Sequence, residues 1–179
     1  DEFLKNLDLN NLSNINFQNN AISNLDGQNI SFNESENDWE SSQTHSEFKL
    51  ESTISVKSLK IDTLMKKYNL YNYQTIIKLD IEGNEMNAIE GGLDFIKKTS
   101  PLIIIEFSKY IFDKQDNIKY LKNFLMNYDY SIYDTNNSKT NLEDILKKLD
   151  KLKKRFKTIG NYYLIKNSSK NLKDFIENE

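Results

Sequence analysis

Four carboxylates stand close together in the middle of the sequence. Asp80 and Glu82 close a β-rich run over residues 75–81, Glu85 falls in the first turn of the helix expected next, and Glu106 closes the apolar run 102–107. In an open α/β sheet, ligands bind beyond the carboxyl ends of the strands, so acids at two neighbouring strand ends would share one small region. A carboxylate placed there can orient or deprotonate a substrate hydroxyl, and Gly83 permits a sharp turn with a ligand close to the backbone. The same residues have plainer uses. Glu82 and Glu85 would each favour a helix N-terminus by about 0.3 to 1 kcal/mol. Lys78, Asp80 and Glu82 share a face at strand spacing, so Lys78 can serve as a buried counter-ion for Asp80 or Glu106. An acid pair of this kind can also hold Mg²⁺, although paired acids at strand ends are common without one.

Composition narrows the chemistry further. The 179 residues carry 24 basic and 27 acidic side chains, a formal net charge of −3, with one His and no Cys. Disulfides, Cys-ligated zinc and a thiol nucleophile are excluded, as is a His-rich metal site within one chain, which leaves carboxylates as the main acid/base material. No metal is expected. The slightly acidic balance argues against a nucleic-acid partner. No stretch approaches the roughly 20 apolar residues needed to cross a bilayer, so membrane insertion is not expected. Asp1 is neither an initiator Met nor part of a signal-peptide pattern, and the expected location is cytoplasmic.

The elements that must position the acids follow from hydrophobic period. Phe3, Leu4 and Leu7 share a helical face that Asn10 and Asn11 would end. An extended stretch over 15–23, the Asp26-Gly27 turn and residues 29–32 predict a hairpin. Residues 33–47 are polar and read as a long surface loop holding Trp39 and His45. Weak alternation over 48–56 precedes a helix marked by Ile61, Leu64, Met65 and Tyr68. The strand ending at Asp80 is followed by a helix with the buried stripe Met86, Ile89, Leu93 and Ile96, with Gly91-Gly92 inside it. Pro101 opens a strand buried on both faces. A helix through Ile118, Leu121, Leu125 and Tyr128, a strand over 130–133, a helix through Leu142, Ile145, Leu146 and Leu149, and a strand over 158–165 complete the chain. This alternation predicts one α/β domain over residues 1–179 with parallel strands at the centre of its sheet.

Other notable residues have bland readings. Trp39 and His45 read as a semi-buried and a surface residue. The basic run through Lys147, Lys148, Lys151, Lys153, Lys154, Arg155 and Lys157 reads as the solvated face of a helix. Tyr162 and Tyr163 read as core, and Gly91-Gly92 fits neither phosphate-loop pattern.

The run Lys78-Leu79-Asp80-Ile81-Glu82-Gly83-Asn84-Glu85, then Ile89-Glu90-Gly91-Gly92, then Pro101-Leu102-Ile103-Ile104-Ile105-Glu106, resembles the FkbM family of S-adenosylmethionine-dependent methyltransferases. Leu7-Asp8-Leu9-Asn10-Asn11-Leu12, Asn20-Ala21-Ile22-Ser23 with Asp26-Gly27, Ser41-Ser42, Ser58-Leu59-Lys60-Ile61-Asp62-Thr63-Leu64 and Gly160-Asn161-Tyr162-Tyr163 fit in order and spacing. The resemblance implies a Rossmann-like class I methyltransferase sheet with an antiparallel last strand. It also implies a sheet that is incomplete here, because the family's first two strands, with their glycine-rich cofactor loop and ribose-binding acid, are missing. The chain then reads as the carboxyl-terminal part of a methyltransferase, unable by itself to bind the cofactor.

For the complete protein, the resemblance implies methyl transfer from S-adenosylmethionine to a hydroxyl of a sugar, glycan or polyketide-like acceptor. Asp80 or Glu82 would be the base or acceptor-orienting group, Glu85 and Glu106 would support the cleft, and Asn20, Ala21 and Ile22 would edge the adenine. His45 is an alternative base should its loop close over the site. The rival readings are a noncatalytic fragment or pseudoenzyme, and a glycan-binding or assembly module using the same cleft without chemistry.

Overall fold

A computed structural model describes residues 2–34, 52–152 and 158–169. Trp39, His45, Ser41, Ser42 and the basic residues Lys153, Lys154, Arg155 and Lys157 lie outside them. The described chain runs α1 (Glu2–Leu9), β1 (Ala21–Ile22), β2 (Asn29–Glu34), β3 (Ser52–Leu59), α2 (Ile61–Lys67) and a 3-10 turn (Leu70–Asn72). It continues through β4 (Ile76–Leu79), α3 (Glu85–Gly91), α4 (Leu93–Thr99), β5 (Leu102–Ser108), the single turn α5 (Lys109–Phe112) and α6 (Gln115–Asn127). The last elements are β6 (Tyr130–Tyr133), β7 (Lys139–Thr140), α7 (Leu142–Asp150) and β8 (Thr158–Lys166).

The described strands form two sheets rather than one. A three-stranded sheet has the order β1-β3-β2 and a five-stranded sheet the order β4-β5-β8-β6-β7. In the larger sheet β4 and β5 are parallel, while β8 runs antiparallel to both β5 and β6. The antiparallel last strand agrees with expectation, but it takes the centre of the sheet, where parallel strands were expected. The fold is mixed α/β.

The predicted hairpin does not form. β1 shrinks to two residues and pairs parallel with β3, and β2 pairs antiparallel with the other edge of β3. The Asp26-Gly27 turn has another employment. Asp26 accepts hydrogen bonds from the Lys60 amide at 2.8 Å and the Thr63 hydroxyl at 2.7 Å, capping the start of α2. Gly27 donates its amide to the Ser58 carbonyl, so the turn is stitched to the end of β3 and carries the chain past it. A two-residue turn signal reports local geometry and says nothing of which strand will be the neighbour.

The apolar stripes become one large core. Ile103, Ile105 and Phe107 of β5 are fully buried and face Met86, Ala88 and Ile89 of α3, Phe95 and Ile96 of α4, Leu121 and Phe124 of α6, and Ile145 and Leu149 of α7 within one cluster. The stripe expected to form a single helix over 86–96 is split at Gly92, which ends α3 and begins α4. Asp62 of α2 accepts the amides of Asp94 and Phe95, supplying partners for the first turn of α4. The opposite face of the larger sheet carries a much smaller cluster made of strand residues: Leu102, Tyr133 and Ile165, with Ile104 and Tyr163 against it. Every described helix that has buried residues contributes them to the large cluster. The face bearing Ile104 and Tyr163 therefore has no described helix in its core.

Candidate active site

Strand alternation puts Lys78 and Asp80 on that second face of the sheet, and the same holds for Glu106 two residues beyond Ile104. β4 and β5 are in register through Lys78 opposite Ile104 and Leu79 opposite Ile105, so their carboxyl ends lie on the same side and Asp80 arrives beside Glu106. The next residues turn sharply. Glu82 and Gly83 both have positive φ, 51° and 97°, and a side chain at Gly83 would meet the Cβ of Tyr110 at 2.9 Å. Glycine is required there twice over, by dihedral and by space.

The result is a convergence of acids. Asp80, Glu82 and Glu106 each present a carboxylate oxygen, and these atoms all lie within 4.8 Å of one another. Oxygens at this spacing could ligate a hard divalent cation as well as hold a hydroxyl. Positive charge already reaches the group from Lys78, whose ammonium donates to Asp80 at 2.9 Å in a half-exposed pair. The counter-ion reading of Lys78 thus holds for Asp80, although the pair is not buried. Partial burial raises the Glu106 carboxyl above its ordinary range, and the nearby Asp80 charge raises it further against the opposing effect of Lys78. Like charges this close favour a shared proton. Opposite Glu106 on the antiparallel strand stands Asn161, whose buried Oδ1 has no hydrogen-bond partner among the described residues.

Glu85 occupies a different position. It is 1% exposed, and its Oε1 accepts the backbone amides of Ile81 at 3.1 Å and Gly83 at 3.3 Å. Its carboxylate is the floor of the acidic loop, and burial raises its pKa despite those two hydrogen bonds. Oε2 has no partner among the described residues. Glu85 is separate from the three converging acids and is turned onto the loop that carries two of them.

The edge formed by Asn20, Ala21 and Ile22 lies next to this loop although it belongs to the other sheet. Asn20 donates its amide to the Lys57 carbonyl, Ala21 is buried and Ile22 is half-buried. Asn84 Nδ2 donates to the Ile22 carbonyl at 2.7 Å. Three features of the site had no separate signal in the sequence: the Asn84 bridge, the packing of Tyr110 over Gly83, and the orphaned amide oxygen of Asn161. Each depends on a pairing between distant segments, which no local spacing reports. Tyr162 is buried against Phe107 with the Lys148 ammonium over its ring, as the core reading expects.

No described helix is long and apolar enough to cross a membrane. No curated protein and no solved structure matches the chain. A family model does: the methyltransferase FkbM domain matches residues 2–132, more than half of the chain and a span that includes Asn20 through Glu106. With that match, and with Asp80 just past β4 beside Glu106 in the last residues of β5, this chain belongs to the FkbM methyltransferase family.

Proposed function

We propose that the protein is an S-adenosylmethionine-dependent O-methyltransferase acting on a hydroxyl of a sugar, glycan or polyketide-like acceptor. The observation that carries this reading is the convergence of Asp80, Glu82 and Glu106 within 4.8 Å, beside a strand end, Ile22, that is tied to the same loop. When bound, the cofactor supplies an activated methyl group on a sulfonium. The edge through buried Ala21 and half-buried Ile22 offers an apolar border for the adenine, with Asn20 beside it. Carboxylates nearby suit the positive charge of the donor.

The chain's own residues then have two tasks, to align the acceptor oxygen and to receive its proton as the new bond forms. Asp80 and Glu106 act as a pair that takes the proton, and Lys78 donates to Asp80 beside it. Glu82 accepts from and orients the acceptor hydroxyl. Glu85 holds the 80–83 loop through two amides and does not touch the acceptor. β1 and β4 each end their sheet with an edge unpaired among the described residues, which supports the expectation that the complete family sheet carries further strands between them.

The test is calorimetry with S-adenosylmethionine and methyl transfer to a panel of glycosides and polyol acceptors, using the full-length protein. Saturable binding and turnover are expected. Asp80→Asn and Glu82→Gln should lower turnover about 10²- to 10⁴-fold, with little change in melting temperature. Unchanged turnover in both variants would remove the acids from the chemistry. Acceptor binding without any cofactor binding would support the noncatalytic glycan-binding reading instead.

A further inference from the structure

We propose that Asn84 is a positioning residue, whose amide sets the distance between the strand end that borders the cofactor and the carboxylates that meet the acceptor. The proposal rests on the methyltransferase reading above and adds to it a part that none of the acids can supply.

Among the described residues β1 and β4 belong to different sheets and no ladder of backbone hydrogen bonds joins them, so the direct tie between Ile22 and the acidic loop runs through a side chain. The connection is made by α3 and the residue before it. Asn84 Nδ2 donates to the Ile22 carbonyl at 2.7 Å, while Asn84 Oδ1 accepts from Asn87 Nδ2 at 2.6 Å. With its oxygen engaged by Asn87, the amide has its donor end directed at the strand. Farther along α3, Asn24 donates to Glu90 at 2.8 Å, and a methyl group at Gly91 would collide with the Ser23 carbonyl. At its first residue the same helix grips the acidic loop, through the bonds from Ile81 and Gly83 to Glu85. One short helix thus holds both halves of the site, and Asn84 lies two residues from Glu82 while touching Ile22.

The consequence for catalysis is geometric. In-line methyl transfer tolerates little error, and a misplacement of about 1 Å can cost roughly 10²-fold in rate. An aspartate at 84 would keep the volume and the bond from Asn87 but would set an acceptor against the Ile22 carbonyl. Alanine would remove the tie altogether. Asn87→Ala should leave the donor in place.

Two measurements on the full-length protein test this. In kinetics with cofactor and acceptor both saturating, Asn84→Ala and Asn84→Asp are expected to lower kcat about 10-fold or more, and Asn87→Ala by less than about 3-fold. In amide hydrogen exchange, both Asn84 variants should accelerate exchange at Ser23, whose N–H bonds the Leu59 carbonyl, while Ile103 and Ile105 in the core strand keep their protection. Retention of wild-type kcat in a folded Asn84→Asp variant would overturn the positioning role. If the wild-type protein neither binds S-adenosylmethionine nor transfers methyl, the methyltransferase reading falls, and exchange still decides the mechanical tie: unchanged protection at Ser23 in both variants would refute it, and faster exchange would support it.

Discussion

At the scale of single residues, the site depends on acids held close enough to disturb one another. Glu106 has its carboxyl raised first by burial and then by the Asp80 charge. An acid with a raised folded value adds stability below the ordinary carboxylate range and loses that contribution as pH rises through the folded value. For the reaction the sign is opposite, because a proton acceptor must be ionised. Turnover should therefore fall on acidification at a higher pH than an ordinary carboxylate would give. Glu106→Gln is expected to shift the acid limb of the pH–kcat/KM profile to lower pH. An acid limb that stays in place would take Glu106 out of the proton path. These acids were legible as candidates because strand ends are recognisable from apolar runs. That Glu85 faces away from the other three was not legible, since its partners are backbone amides of a turn whose shape depends on Gly83 and Tyr110.

At the scale of elements, α3 decides how the two sheets meet. Its glycine at 91 lies against Ser23, in a helix otherwise contributing Met86, Ala88 and Ile89 to the core. Alanine is ordinarily the better helix former by about 1 kcal/mol, so Gly91→Ala in an isolated helix would stabilise. Here the added methyl meets the backbone oxygen of Ser23, which cannot rotate away. Gly91→Ala should destabilise the protein by about 1 to 3 kcal/mol, as overpacking does, and loosen β1 from α3. Equilibrium denaturation of the variant checks this, and a gain in stability would show that β1 is free to shift. The sequence pattern places Gly91 within a helical stripe. Only the docking of β1 onto that stripe explains why a glycine stands there.

At the scale of the whole molecule, β4 is an edge strand among the described residues. β4 pairs with β5 on one side and no described strand pairs with its other side, while Ile76, on the face it shares with Lys78, is 63% exposed. An uncovered strand edge with an apolar side chain is a template for association. The 179-residue polypeptide should therefore self-associate through this edge, and Ile76→Lys should reduce the association while leaving the melting temperature nearly unchanged. Sedimentation over a range of protein concentrations is the measurement; equal behaviour of the two proteins would place the contact elsewhere.

The sequence by itself determined the order of the main helices and strands, the end of β4 just before Asp80, the placing of Glu106 in the last residues of β5, two before its end, and the family motif. Those features are encoded in periods of two and 3.6 residues and in contiguous runs of residues, and they persist whatever lies alongside. Only the tertiary structure decided that Asp26 caps α2 instead of closing a hairpin, that β8 enters the sheet centre, and that Asn84 joins Ile22 to the acidic loop. Each is a choice of partner among segments distant in the chain, which a local period cannot specify.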